Sequence, residues 1–150
     1  MVIEITTMKE CHLDEVVVLE NASFSEPWSK QAFKDTINSE EYIYLVAIFE
    51  NKVVGYAGCY IALDEGNVTN IAVDADYRRV GIGNELMVQL KRLLEERSVS
   101  SVFLEVRESN EAAQRLYESC GYEEVGMRKN FYSKPQENAI VMKLDISGEK

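Results

Sequence analysis

The segment NVTNIAVDADYRRVGIGNELMVQLKRLLEE, residues 67–96, decides how the rest of the chain is organised. It opens with an apolar, β-branched run that predicts a strand, and it closes with apolar residues at the spacing of one helix face: Leu86, Met87, Leu90, Leu93 and Leu94. The turn between them carries Arg78, Arg79, Gly81 and Gly83. Glycine allows a ligand close to the backbone, and the first amides of a helix lie unpaired at the positive end of its dipole. We therefore predict an anion site at this turn, in the form of a pyrophosphate cradle.

Two other phosphate-binding motifs fit the turn less well. A P-loop needs a lysine after its second glycine, and no lysine follows either glycine here. The dinucleotide fingerprint G-x-G-x-x-G/A needs a small residue where Leu86 stands, and the preceding strands look antiparallel rather than βαβ. Glu105 lies near the distance expected of a ribose-binding acid, so a dinucleotide site stays open as an alternative. A plain helix start that holds two glycines is the other alternative.

The motif RRVGIG resembles the R/Q-x-x-G-x-G/A signature of the GNAT superfamily of N-acetyltransferases, in which this turn holds the pyrophosphate of acetyl-CoA. The segments NIAVDADYRRVGIG, LEVRESNEAAQRLYESCGY and FSEPWS are similar to one branch, the bacterial ribosomal-protein alanine N-acetyltransferases. The resemblance extends over nearly the whole chain. It implies an acetyl-CoA-dependent enzyme that acetylates a protein N-terminus, most specifically the N-terminal alanine of a small-subunit ribosomal protein.

Length, composition and charge limit the class of protein. The chain has 150 residues, of which 46% are hydrophobic and 28% charged, and this predicts one globular domain over residues 1–150. No segment is apolar over the roughly 18 residues of a membrane span, and the N-terminus lacks a signal-peptide pattern, so we expect a cytoplasmic protein. The net charge of −10 argues against a nucleic-acid-binding protein and permits attraction of a cationic partner.

The cysteines and the histidine give no basis for a metal site or a catalytic triad. Cys11, Cys59 and Cys120 form no C-x-x-C pair, and their odd number argues against a disulfide framework. The sequence has one histidine, His12, for which we predict a surface or capping role rather than catalysis. No metal cofactor is therefore expected.

Periodicity and turn signals predict alternating strands and helices. Strands are expected at residues 2–9, 42–49, 53–62, 67–73, 101–106, 122–132 and 138–145, and helices at 10–22, 30–38, 84–97 and 110–119. Ser29 and Ser109 are the predicted N-caps, Gly121 ends the last helix, and 147–150 form a frayed tail. With the resemblance, the prediction is a single α/β GNAT domain. It has a mixed, mostly antiparallel sheet of about seven strands with four helices, and acetyl-CoA lies in the splay between strands 4 and 5.

The resemblance assigns acetyl-CoA to two parts of the chain. In the family, the strands that correspond to 67–73 and 101–106 splay apart, and the pantetheine arm of CoA fills the gap. The backbone of 71–73 is implied to hold that arm and to help polarise the thioester carbonyl. The implied acetyl-CoA contacts are Ile71, Ala72, Val73, Arg79, Val80, Gly81, Ile82, Gly83, Asn84 and Asn110.

Glu105 and Tyr117 are the predicted catalytic residues. An acid in the apolar strand FLEV is costly to bury unless it is paired or functional. The resemblance makes Glu105 the general base, acting through water, and pairing with Arg107 or Arg128 is the alternative. Tyr117 shares a helix face with Asn110, seven residues earlier, and the resemblance makes it the acid that protonates the leaving thiolate. A core aromatic is the alternative for Tyr117.

Trp28, Phe131 and Tyr132 are predicted to form the peptide side of the site. Trp28 lies in the loop FSEPWS, where a core anchor and a substrate wall are equally supported. Phe131 and Tyr132 fall where the family's last hairpin approaches the peptide. A Tyr-Tyr pair is frequent there, so Phe131 lacks one hydroxyl, and Asn138 stands where the branch commonly has an aspartate.

The chemistry favours an α-amine over a lysine as the acetyl acceptor. An α-amine has a pKa of about 8, so about a tenth is neutral at neutral pH, whereas a lysine with a pKa of about 10.4 is almost fully charged. Glu26 and Glu137 are expected to make the mouth of the site acidic, which suits a basic protein partner. A broader lysine or small-amine acetyltransferase stays open, as does a non-catalytic acetyl-CoA-binding module, which the Glu105/Tyr117 pair disfavours.

Overall fold

Seven strands form one sheet in this computed structural model, which describes residues 2–146. They are β1 Glu4–Thr7, β2 Tyr42–Phe49, β3 Lys52–Ala62, β4 Glu65–Val73, β5 Ser101–Arg107, β6 Glu123–Ser133 and β7 Gln136–Asp145. The order is β1-β2-β3-β4-β5-β7-β6, and all neighbours are antiparallel except β4 and β5, which are parallel. The predicted mixed, mostly antiparallel sheet is confirmed. The predicted tail at 147–150 lies outside the described residues.

Four α-helices accompany the sheet: α1 Leu13–Ser23, α2 Lys30–Ile37, α3 Ile82–Glu96 and α4 Glu111–Ser119. The predicted cap of α2 is confirmed, because the Ser29 hydroxyl accepts a hydrogen bond from the Ala32 N–H at 3.1 Å. The predicted cap of α4 is wrong. Asn110, not Ser109, is the N-cap, and its Oδ1 accepts from the Ala113 N–H at 3.1 Å. The hydroxyl of Ser109 hydrogen-bonds to the Glu137 carboxylate instead, and the Ser109 N–H donates to the same carboxylate.

His12 has the capping role that was predicted for it. Its Nδ1 accepts a hydrogen bond from the Lys9 N–H at 2.9 Å, at the start of a 3-10 turn, Glu10–His12, that precedes α1. Partial burial and the nearby Lys9 charge lower the pKa of His12. The imidazole is therefore a neutral acceptor at neutral pH, as the cap requires.

Helices cover both faces of the sheet, which explains why the central strands read as continuous apolar runs. In β2, Leu45 and Ala47 face the cluster under α3 and α4, and Tyr44 and Val46 face the cluster under α1 and α2. This alternation follows from the period of two along a strand. Within residues 2–146, none of the helices is both long and apolar enough to cross a membrane.

Candidate active site

Strands β4 and β5 separate and leave a gap in the sheet. Within the described chain their parallel pairing covers three residue pairs, the last of which joins Asn67 to Phe103. Strand β4 nevertheless continues to Val73 and β5 to Arg107, each still paired with its other neighbour. Backbone groups that face the gap therefore have no ladder partner across it, and an extended ligand can pair with them.

A β-bulge in β4 explains where the two strands part. The pairing of β4 with β3 passes from Val68–Cys59 to Asn70–Gly58, so Thr69 is an extra residue in β4. A bulge bends its strand and increases the local twist. Gly58 is required opposite the bulge, because a Cβ there would lie 2.2 Å from the ring of Tyr44. The bend directs the end of β4 away from β5.

The gap opens into a cleft of about 730 Å3. Its walls come from the loop between α1 and α2 (residues 24–29, the Trp28 loop), from β4 and β5, from the start of α4, and from the β6–β7 hairpin. The cleft brings together these predicted site residues: Trp28, Ile71, Glu105, Asn110, Tyr117, Phe131 and Tyr132. The other predicted cofactor contacts, Ala72, Val73 and residues 79–84, lie outside its lining.

Glu105 lies in the cleft and is also paired with an arginine. Its Oε2 is 3.2 Å from Nη1 of Arg128, and the two side chains are 29% and 58% exposed. Such a partly exposed ion pair is screened by solvent and contributes little to stability. Arg107, the other arginine considered as a partner, binds Glu137 instead. Oε1 of Glu105 has no hydrogen-bond partner among residues 2–146, so one carboxylate oxygen is available to a ligand or water.

Tyr117 is 6% exposed and lines the cleft from α4, packing against Tyr122 with ring centroids 6.0 Å apart. It is thus both a core aromatic and a cleft residue. Burial raises the pKa of Tyr117 above that of an ordinary phenol. The hydroxyl is therefore protonated at neutral pH and can donate, although its proton transfer to a thiolate is more uphill than that of an exposed tyrosine. Asn110, at the start of the same helix, uses its Oδ1 for the cap.

The turn before α3 has a conformation that only glycine adopts easily. Gly81 is the N-cap of α3 with φ +89°, and an added Cβ would meet nothing within 4 Å. The first backbone hydrogen bond of the helix runs from the Glu85 N–H to the Gly81 carbonyl at 3.0 Å. The amides of residues 82–84 precede that bond and have no intrahelical acceptor. Open space and these amides fit a phosphate group.

The remaining cradle residues have roles inside the protein as well. A Cβ on Gly83 would lie 3.2 Å from Cδ2 of Leu116, so this glycine allows α3 to pack on α4. Ile82 is buried in the core, so only its backbone can meet a ligand. Asn84 Oδ1 accepts from the Cys120 thiol at 3.5 Å. Arg79 and Val80 are exposed on the turn.

The part of the cleft that is predicted to meet the peptide is lined by aromatic side chains. Trp28 packs against Phe33 and Tyr44 with ring centroids 5.4 and 6.0 Å apart, and it lines the cleft. It is thus a core anchor and a cleft wall at once. Across the cleft, Phe131 and Tyr132 meet edge to face at 5.0 Å. The Trp28 loop and the hairpin are also joined directly, because the Ser133 hydroxyl donates to the Glu26 carboxylate at 2.7 Å.

Arg107 holds the hairpin against the end of β5. Its guanidinium lies 4.2 Å from the ring centroid of Tyr132 and donates to the carbonyls of Lys134 and Pro135 at 3.2 and 3.0 Å. It also donates to Glu137 at 3.2 Å. Hydrogen bonds from Ser109 and from Arg107 lower the pKa of Glu137. Arg107 matches the charge of Glu137, and of the two acids that were expected at the mouth only Glu26 lines the cleft.

Sequence reasoning missed a connected group of polar residues behind the Trp28 loop, here termed the Glu20 cluster: Glu20, Tyr44, Tyr56 and Asn70, which are buried, and Thr69, which is exposed. Glu20, Thr69 and Asn70 line the cleft. Burial raises the pKa of both tyrosines, so their hydroxyls are donors at neutral pH. One signal could have revealed the cluster. Glu20 falls on the same face of α1 as the buried Leu13 and Val16, where an acid needs partners.

A sequence model described as the acetyltransferase (GNAT) family matches residues 13–122. The chain belongs to the GNAT acetyltransferase family. It is an acetyl-CoA-dependent N-acetyltransferase with the fold that the sequence predicted, and the alternative of a non-catalytic binding module is set aside. In the part of this GNAT enzyme that the structure describes, no group of three or more His, Cys, Asp or Glu side chains could hold a metal ion.

Relatives of this GNAT enzyme include ribosomal-protein acetyltransferases. The [ribosomal protein bS18]-alanine N-acetyltransferase of Haemophilus influenzae is 38% identical over 92% of this chain and 95% of its own. The crystal structure of the ribosomal-protein-S18-alanine N-acetyltransferase from Escherichia coli superposes with a TM-score of 0.89 at 36% identity, over 99% of this chain and 97% of that one. A protein from Bacillus anthracis, solved in complex with acetyl coenzyme A, is 27% identical with a TM-score of 0.70, covering 80% of this chain and 69% of that one.

Proposed function

We propose that this enzyme transfers the acetyl group of acetyl-CoA to the α-amine of a protein N-terminus, namely the N-terminal alanine of ribosomal protein bS18. The observation that carries the proposal is the 38% identity, over 92% of the chain, to an enzyme named for that substrate. The cleft supports it, because a predicted base and a predicted acid line the same opening between the parted strands.

Acetyl-CoA is proposed to bind along β4 and the turn before α3. The pyrophosphate meets the amides of residues 82–84 next to Gly81 and the charge of Arg79. The pantetheine arm pairs with the free edge of β4 at residues 71–73. The Val73 carbonyl already accepts one hydrogen bond, from Nε of Arg78 at 3.2 Å. Asn110 contributes from the start of α4.

The proposed reaction is direct transfer. The amine nitrogen attacks the thioester carbonyl carbon, so that a C–N bond forms and the C–S bond breaks. Glu105 takes the proton that the nitrogen loses, directly or through water, and its unbound Oε1 is the acceptor. Tyr117 gives its hydroxyl proton to the departing thiolate and regains one from solvent. Trp28, Phe131 and Tyr132 contact the residues that follow the acceptor amine.

Replacement of Gly81 by valine is expected to weaken acetyl-CoA binding about tenfold or more, as measured by calorimetry. A β-branched residue is strained at φ +89°, so the turn shifts and its amides no longer converge on one anion. Gly83→Val is a poor test, because its side chain would collide with Leu116. Gly126→Val is the matched control, since that exposed glycine also has free space around it. Unchanged affinity in Gly81→Val would contradict the cradle assignment.

A peptide panel analysed by mass spectrometry tests the substrate. A peptide that begins with a free alanine followed by arginines is expected to be acetylated on its α-amine. The same peptide with a blocked N-terminus and internal lysines is expected to react at least about tenfold more slowly, because a lysine is far less neutral at this pH. Acetyl groups found mainly on lysine side chains would favour the broader acetyltransferase instead.

A further inference from the structure

The Glu20 carboxylate joins three separate elements behind the cleft. It lies in the last turns of α1 and is 2% exposed. Its Oε2 accepts a hydrogen bond from the Trp28 N–H at 2.9 Å. Its Oε1 accepts from the Tyr56 hydroxyl of β3 and from Nδ2 of Asn70 in β4 at 3.3 Å. One side chain thus connects the Trp28 loop with two strands of the sheet.

The same network reaches the bulge at which β4 leaves β5. Asn70 Oδ1 accepts from the Tyr44 hydroxyl at 2.6 Å, and that hydroxyl lies 2.7 Å from the hydroxyl of Thr69, the bulged residue. Trp28 packs on the ring of the same tyrosine. The Trp28 loop and the bent end of β4 are therefore connected through one set of hydrogen bonds, most of them buried.

The hydrogen bonds at position 20 require a carboxylate side chain. Both oxygens of Glu20 accept from donors, and a carboxylate is the side chain that accepts at both positions. A glutamine of the same shape would turn its NH2 group either toward the Trp28 N–H or toward Nδ2 of Asn70. In either orientation two hydrogen-bond donors face each other, and a hydrogen bond is lost. A buried carboxylate is costly, so it persists where it is bound at both oxygens.

We propose that Glu20 is a positioning residue, which holds the Trp28 loop at a set distance from β4 and thereby forms the acceptor side of the cleft in advance of binding. This inference rests on the proposed function, since it assigns the peptide to the Trp28 wall. Affinity for the acceptor peptide then depends on Glu20. Affinity for acetyl-CoA depends on Glu20 much less, because the cradle at residues 79–84 lies outside the Glu20 cluster and the pantetheine arm is assigned to the backbone of residues 71–73.

The test uses Glu20→Gln and two readouts. The sequence contains one tryptophan, so intrinsic tryptophan fluorescence reports on Trp28 alone. We expect a red-shifted emission and stronger quenching by acrylamide, because the loop separates from α1. With the alanine peptide, we expect KM for the peptide to rise about tenfold or more, which corresponds to the loss of a hydrogen bond to a charged group. KM for acetyl-CoA and kcat should stay within about twofold of the wild type.

Glu15→Gln is the matched control. Glu15 lies in the same helix and its Oε1 likewise accepts from a backbone amide, that of Val53 at 3.1 Å, but it does not line the cleft. It should leave fluorescence and both KM values unchanged. If Glu20→Gln does not fold, Tyr56→Phe, which removes one of the three bonds, should show the same changes on a smaller scale.

Two results would overturn the inference: wild-type fluorescence and quenching in the folded variant, or equal increases in KM for peptide and for acetyl-CoA. A wild-type enzyme that acetylates none of the alanine peptides would refute the proposed function instead. The fluorescence readout would still decide whether Glu20 holds the loop, because it needs no turnover.

Discussion

Glu105→Gln is expected to lower kcat by about 10²-fold or more, while the affinity for acetyl-CoA stays near that of the wild type. Glutamine keeps the shape of the side chain but cannot take a proton from the amine. Glu105 lines the cleft, and one of its carboxylate oxygens is not bound by Arg128, so this oxygen is free to take the proton in the proposed reaction. Steady-state kinetics with the alanine peptide give kcat, and calorimetry gives the acetyl-CoA affinity.

Two further variants test whether activity depends on Glu105 as a proton acceptor, on its negative charge alone, or on its ion pair with Arg128. Glu108→Gln removes an equal charge three residues further along, outside the lining of the cleft, and should retain wild-type kcat. Arg128→Gln removes the ion-pair partner at 3.2 Å but leaves the carboxylate. If Glu105 acts as the base, Arg128→Gln keeps most of its activity. Near-normal turnover in Glu105→Gln would show that the carboxylate serves only to bind Arg128.

Tyr117→Phe is expected to lower kcat by about 10²-fold, because the departing thiolate loses its proton donor. Tyr122→Phe is the control: it removes a buried hydroxyl from the packing neighbour of Tyr117, outside the lining of the cleft. A similar loss in both variants would indicate that buried hydroxyls matter for stability rather than for proton transfer. Thermal unfolding of both variants should therefore accompany the kinetics.

The pH profile adds an independent check on Tyr117. Its pKa is raised by burial, so the phenol stays protonated to higher pH than an ordinary tyrosine, whose pKa is about 10. The activity should therefore increase as the α-amine of the peptide loses its proton near pH 8, and it should not fall again before about pH 10. An alkaline loss of activity well below that value, present in the wild type and absent in Tyr117→Phe, would show a lower pKa than burial implies.

Short-range patterns were enough to predict most of the secondary structure. Strand β2 was predicted at 42–49 and is Tyr42–Phe49, because a continuous apolar run between turn residues leaves few other choices. Helix α3 was predicted at 84–97 and is Ile82–Glu96. The positive φ of Gly81, and that of Gly121 at the end of α4, follow equally from neighbours in the chain. Predicted site residues such as Glu105 and Tyr117 came from the GNAT motifs.

Only the tertiary structure decided how side chains from distant strands meet. The sequence left Arg107 and Arg128 as equal partners for Glu105. The sheet order β5-β7-β6 brings Arg128 to Glu105. Val141 of β7 pairs with Glu105 on one side and with Gly126 on the other, and Arg128 is two residues after Gly126, on the same face of β6. Likewise, the cap at Asn110 was missed because the hydroxyl of Ser109 hydrogen-bonds to Glu137, a residue of the hairpin, and is therefore not used as a cap.

The cleft itself also depends on tertiary structure. It opens where Thr69 bulges opposite Gly58, and the Glu20 cluster forms where α1, β2, β3 and β4 converge. By itself, the sequence determined which segments are helices, strands and turns, because hydrophobic periodicity and turn-forming residues depend only on neighbours within a few positions. Strand register, the bulge and the buried hydrogen bonds depend on packing between residues that lie up to 50 positions apart, as Glu20 and Asn70 do.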